Sequence, residues 1–181
     1  MWLKEIEDTS SLSLTQGSIL EGVDFGYDNN PLCIVLSNAC DFEHDKLSFV
    51  VVAALVEAKQ TLLISKEYKN ITGDKVYSEL NSKQREKVRA YIKEFVYNKR
   101  VSRYYFFNPE PVLDCPCLLV DFQQIKSFSK DALNSVNVIG ELNHPFIEQL
   151  MMRFASYIAR IPSDSISCEE EKKIIDDFVD I

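Results

Sequence analysis

Four residues with reactive or ligating side chains sit close together in Ser37-Asn-Ala-Cys-Asp-Phe-Glu-His44: Cys40, Asp41, Glu43 and His44. A thiol, two carboxylates and an imidazole in one polar loop could bind a metal or form a Cys–His nucleophile pair. The thiolate is the active form, and an adjacent imidazolium would favour it. The spacing falls short of a zinc signature, because no second Cys-x-x-Cys or His pair follows at a fixed distance. The plainer reading makes Cys40 a small apolar residue, gives Asn38 and Asp41 turn-capping duties, and leaves His44 in solvent. Cys115 and Cys117 are separated only by Pro116, which does not make a redox motif. With Cys33 or Cys40 they could complete a metal site; otherwise they flank the start of a strand. Five cysteines, an odd number, and no apolar run of signal-peptide length favour free thiols in a cytoplasmic protein. No cofactor motif occurs: there is no Gly-rich phosphate loop, Gly-x-Ser-x-Gly or His-Glu-x-x-His.

A second kind of chemistry lies in the charge distribution. The chain has 181 residues and a formal net charge of −8, which argues against a general nucleic-acid or anionic-membrane binder. The charge is uneven, however. Residues 1–80 balance at −7, residues 81–103 at +6 and residues 104–181 at −7. The positive segment holds Lys83, Arg85, Lys87, Arg89, Lys93, Lys99, Arg100 and Arg103, followed by Tyr104 and Tyr105. Cations beside aromatic rings could contact RNA, with the rings stacking on bases. They could equally dock an acidic protein surface, a second copy, or the chain's own acidic end. A solvated helix face is the plainest reading. His144 reads as a surface or capping residue, and Arg153, Tyr157 and Arg160 as boundary residues. Asp114 and Asp121 have no partner visible in sequence.

The elements that must position these groups are mostly apolar. The hydrophobic fraction of 46 % is too high for disorder, and the length suits one domain, residues 1–181, that needs no staple. Pro31–Ser37 and Leu47–Val56 are continuous apolar runs that predict buried strands. Leu62–Ser65, Ser102–Phe107 and Cys117–Phe122 predict further strands, and Asp131–Ser135 a helical turn. Asn81 and Gln84 have capping-box spacing, and Val88, Tyr91, Ile92, Phe95 and Val96 recur at helical spacing, so residues 82–99 predict an amphipathic helix. A second helix, 143–161, would be capped by Asn143 with Pro145 in its first turn, and would seal the core. A third, 168–179, pairs an acidic run, Glu169–Glu171, Asp176 and Asp177, with Ile174, Ile175, Phe178 and Val179 on one face. The longest apolar run, Phe49–Val56, is too short to cross a membrane.

The stretches Gln16-Gly-Ser-Ile19, Pro31-Leu-Cys-Ile-Val-Leu-Ser-Asn38 and Phe49-Val-Val-Val-Ala-Ala-Leu-Val56 resemble the start of the MazF/PemK-like family. The resemblance covers about forty residues and rests on apolar strands. It implies an α+β protein: a small SH3-like antiparallel β-barrel from roughly 10–65 and 101–125, with two long helices and an acidic C-terminal helix. Members of that family often cut RNA with an Arg before the Pro and a Thr or Ser after the second strand. Here Asn30 stands at the first position, and Val56 and Glu57 at the second; Ser18 replaces the family's Asp. The resemblance therefore implies the scaffold without the catalytic pair. The expected function is a non-catalytic protein-binding module on that barrel. The alternatives are an RNA binder or diverged ribonuclease using residues 83–103, and a Cys40/His44 thiol or metal site.

Overall fold

The computed structural model describes residues 1–5, 12–26, 31–99, 103–133 and 135–159. Asn30, Arg100, Arg160, Cys168 and the predicted helix 168–179 lie outside them.

The two apolar runs form adjacent antiparallel strands. Cys33–Val35 is β2 and Phe49–Glu57 is β3, and Ile34 faces Ala53 across them. Ser18–Glu21, β1, pairs with β2 on its other side. Both faces of these strands are covered, which explains why their sequences are continuously apolar rather than alternating. Ile19, Ile34, Ala53 and Leu55 face one core cluster, while Leu20, Cys33, Val35, Val52 and Ala54 face another. The three remaining strands are β4 (Tyr104–Phe107), β5 (Leu118–Ser129) and β6 (Asn137–Glu141), and the six run β4-β5-β3-β2-β1-β6, all antiparallel. The sheet curls into a half-barrel with β4 and β6 at its edges.

Several predicted elements change. Leu62–Ile64 of the predicted strand Leu62–Ser65 are helical: they belong to α2, Ala58–Ile64. Ala58 and Leu62 are one helical turn apart and both bury against Tyr91 and Phe95, so packing decides what four apolar residues leave open. Ser65 ends α2 and caps α3, Lys66–Thr72, by accepting a hydrogen bond from the Tyr68 N–H. The Asn38–Lys46 turn contains a short helix, α1, Ala39–Glu43. β5 extends seven residues past Phe122, and its polar residues Lys126 and Ser127 are exposed. β6 lies outside the predicted barrel segments and has few apolar residues, yet it closes the edge of β1.

The two strong helices stand. α4 is Ser82–Val96, and its capping box is formed: the Gln84 N–H donates to the Asn81 side chain at 2.9 Å and the Asn81 N–H to the Gln84 side chain at 3.2 Å. α5 is Phe146–Ile158, with Ile147 and Leu150 buried in the core cluster that holds Tyr105, Phe107 and Phe122. Its predicted Asn143 side-chain cap does not form. Pro145 occupies the cap position, and Asn143 instead accepts the Phe146 N–H on its backbone carbonyl at 2.8 Å. Among the described residues no helix is long and apolar enough to cross a membrane.

Candidate binding surface on helix α4

α4 turns Val88, Tyr91 and Phe95 inward, at the i, i+3, i+7 positions of one face. The buried face fixes where the charges go. Lys83, Arg85, Lys87, Arg89 and Lys93 are all exposed. By helical spacing they form two rows, Lys83–Lys87 and Arg85–Arg89–Lys93, one on each side of the exposed surface.

The two arginines are held from below. The Arg85 guanidinium donates to the Ser78 carbonyl at 2.7 Å and lies 5.7 Å above the Tyr77 ring, and the Arg89 Nε donates to the Tyr77 hydroxyl at 3.2 Å. They clamp the short 3-10 turn Tyr77–Glu79 against α4. Lys83, Lys87 and Lys93 make no ion pair among the described residues.

Arg103, the last cation of the basic segment, is not part of this surface. It makes a two-bond ion pair with Asp121, Nε to Oδ1 at 2.7 Å and Nη2 to Oδ2 at 2.6 Å, and lies over the Tyr104 ring at 4.7 Å. Asp121 is 1 % exposed and also accepts from the Gln123 N–H and the Gln124 side-chain amide. Burial alone would raise its pKa. The hydrogen bonds from Arg103, Gln123 and Gln124 and the Arg103 charge outweigh that and hold the carboxyl below its ordinary range. The pair sits at an irregularity where Ala54 faces Asp121 but Ala53 faces Ile125, leaving residues 122–124 extra on β5. Neither tyrosine of the predicted stacking platform stands free. Tyr105 is buried with its hydroxyl donating to the Phe146 carbonyl, and Tyr104 is half-buried between Arg103 and Phe95.

The thiol and imidazole candidates do not converge. Cys40 is exposed in the first turn of α1, where its N–H donates to Asn38, and His44 ends that helix in solvent. Among the described residues no side-chain hydrogen bond joins Cys40 to His44 or to Asp41. Cys33 lies in one core cluster, Cys115 packs against a second and Cys117 against a third. Among the described residues no three His, Cys, Asp or Glu side chains gather as metal ligands. Burial pushes the Cys33 thiol up to about 12, and burial followed by the Asp114 charge raises Cys115. Asp114 is exposed, and His144 is exposed and paired with Glu148 one turn on.

Of the positions implied by the family resemblance, Asn30 lies outside the described residues, and Ser18 and Glu57 make local contacts. Ser18 is fully buried and its hydroxyl accepts the Thr15 N–H. The Glu57 carboxylate accepts from Gln60, and its carbonyl from the Thr61 hydroxyl.

A feature that the sequence did not signal is a groove of about 610 Å³ between the end of α4 and α5. Trp2, Val96, Tyr97, Tyr105, Met152 and Arg153 line it. Its α4 wall is fixed by Asn98, whose side chain accepts from the Phe106 N–H at 2.6 Å and donates to the Phe106 carbonyl at 3.0 Å. Residues far apart in sequence, from Trp2 to Ser156, meet there, so no local motif could have marked it.

No family model matches this chain, and no curated protein does. Among solved structures, the chain is similar to an endoribonuclease from a mycobacterial species, solved in complex with its cognate antitoxin. The two share 14 % identity at a TM-score of 0.46, over 84 % of this chain and 100 % of that one.

Proposed function

We propose that this chain is a non-catalytic protein-binding module, built on a curled barrel of the MazF/PemK-like, SH3-related kind, that holds an acidic protein surface on the exposed face of α4. The observation that carries this reading is the set of three lysines, Lys83, Lys87 and Lys93, that stand in solvent without an ion pair among the described residues. Uncompensated cations on a rigid, capped helix attract an anionic partner and set its approach. Weighing against RNA, the aromatic rings beside the basic segment are buried or stacked already, and Arg103 is spent on Asp121. Weighing against a thiol enzyme or metal site, no side-chain hydrogen bond joins Cys40 to His44 among the described residues and the cysteines are dispersed.

The test compares two labelled probes, a poly-glutamate peptide and a single-stranded RNA. The expected result is saturable, salt-sensitive binding of the peptide that weakens about tenfold, or about 1.4 kcal/mol, in Lys83→Glu/Lys87→Glu/Lys93→Glu. Retention of RNA but not peptide, or cleavage of the RNA, overturns the reading. The lysines are the right targets because the two arginines also support the Tyr77–Glu79 turn.

A further inference from the structure

The groove between α4 and α5 presents apolar side chains to solvent. Tyr97 and Met152 on its rim are 61 % and 72 % exposed. Its floor is Trp2, stacked on Phe146 with ring centroids 4.2 Å apart, together with Tyr105. The volume suits several large side chains from one helix face, not a whole helix.

Two observations indicate what covers it. The first is charge. Lys93 stands four residues after Arg89 on α4 and is followed three and four residues on by Val96 and the cap residue Tyr97, so a basic row leads into the groove. An occupant should therefore be acidic with an apolar face. The second is connectivity. The groove wall on α5 is Gln149, Met152, Arg153 and Ser156, a stripe that runs to the C-terminal end of that helix. The chain continues from there for 22 residues beyond Ala159. Those residues carry Asp164, Glu169, Glu170, Glu171, Asp176, Asp177 and Asp180 against Arg160, Lys172 and Lys173. Ile174 and Phe178, and likewise Ile175 and Val179, are spaced one helical turn apart. The required chemistry is thus present on the segment that begins beside the groove, at the high effective concentration that a short tether provides.

We propose that the C-terminal segment of this chain, residues 162–181, docks in this groove, with its apolar face against Trp2, Tyr97 and Met152 and its carboxylates along the basic row of α4. This goes beyond the binding role of α4: the segment is a built-in competitor that an external acidic partner must displace.

Trp2 is the single tryptophan of the chain and lines the groove, so its emission reads occupancy directly. Two variants are compared with the full chain, one ending at Ile161 and one carrying Ile174→Asp and Phe178→Asp at full length, each checked for folding by circular dichroism. The expected result is emission shifted to longer wavelength and greater acrylamide quenching in both variants. A synthetic peptide of residues 162–181 should reverse the shift in the shortened chain, saturably and less well at high salt. Poly-glutamate should bind the shortened chain more tightly than the full one. Unchanged Trp2 emission and quenching in the folded variants overturns the proposal, whether or not α4 binds poly-glutamate. If only one variant folds, that variant decides. A Trp2 signal in the full chain that depends on protein concentration overturns it in favour of a second copy as the occupant.

Discussion

Lys93 and Arg103 are ten residues apart and belong to one basic segment, yet the fold gives them opposite situations. Lys93 stands on the solvent side of α4 with no ion pair among the described residues. Arg103 faces a carboxylate that is 1 % exposed, at the irregularity of the β3–β5 ladder. The difference shows why a local balance of +6 is not a surface potential. A charge counts toward a partner only if no group of its own chain already neutralises it. For Arg103 the neutralising group is 18 residues away and emerges only when β4 and β5 pair.

Breaking the buried side of this comparison should have the largest effect. Asp121→Ala leaves a partly buried guanidinium and the Gln123 N–H without their acceptor, and should cost about 3 kcal/mol in urea unfolding. The pH dependence has a definite sign. The folded carboxyl lies below its ordinary value of 3.8, so the unfolded chain takes up the proton first. Stability is therefore in full above about pH 4 and falls as pH drops through the folded value. Asp121→Asn should lack that part of the acid loss in a pH series of unfolding midpoints.

Next comes the joint between the two regions. Asn98 ends α4 at φ +55° and makes two hydrogen bonds to Phe106 of β4. Asn98→Ala removes both and adds left-handed strain, and should cost about 2–3 kcal/mol by the same measurement. Asn98→Gly should cost less than Asn98→Ala, because glycine tolerates the positive φ.

On the solvent side, Lys83→Glu/Lys87→Glu/Lys93→Glu should leave stability within about 0.5 kcal/mol of the parent while poly-glutamate affinity drops about tenfold. A large stability loss would mean that these lysines are spoken for, and would erase the contrast with Arg103. Arg89→Ala should have the smallest effect, about 0.5 kcal/mol, because its bond to Tyr77 is exposed. Labelling of Tyr77 by a tyrosine-reactive probe should rise in that variant, which sharpens the distinction between the supporting arginines and the free lysines.

How much was legible follows from the range of the signals. The capping box at Asn81 and the 3.6-residue stripe of α4 are local, and they placed that helix and its exposed cations correctly. The β-branched runs placed β2 and β3 for the same reason. Leu62–Ser65 was misread because four apolar residues carry no period, and the decision lay with Tyr91 and Phe95. β6 was missed because Asn137-Val-Ile-Gly-Glu141 owes its strand to pairing with β1, more than a hundred residues earlier. Asp121 looked solitary because its partner lies across a strand pair, and the Cys40–His44 loop looked reactive because closeness in sequence does not by itself join side chains.

What the sequence determined by itself was the presence of a buried antiparallel centre, two long amphipathic helices, and a band of positive charge between acidic flanks. Each is written in composition and short-range periodicity, which do not depend on the rest of the chain. Only the tertiary structure decided which cations are available, that the described cysteines are dispersed, and that Trp2 and Met152, 150 residues apart in sequence, share a groove. Those outcomes depend on strand pairing and helix packing, which bring together groups that no local pattern connects.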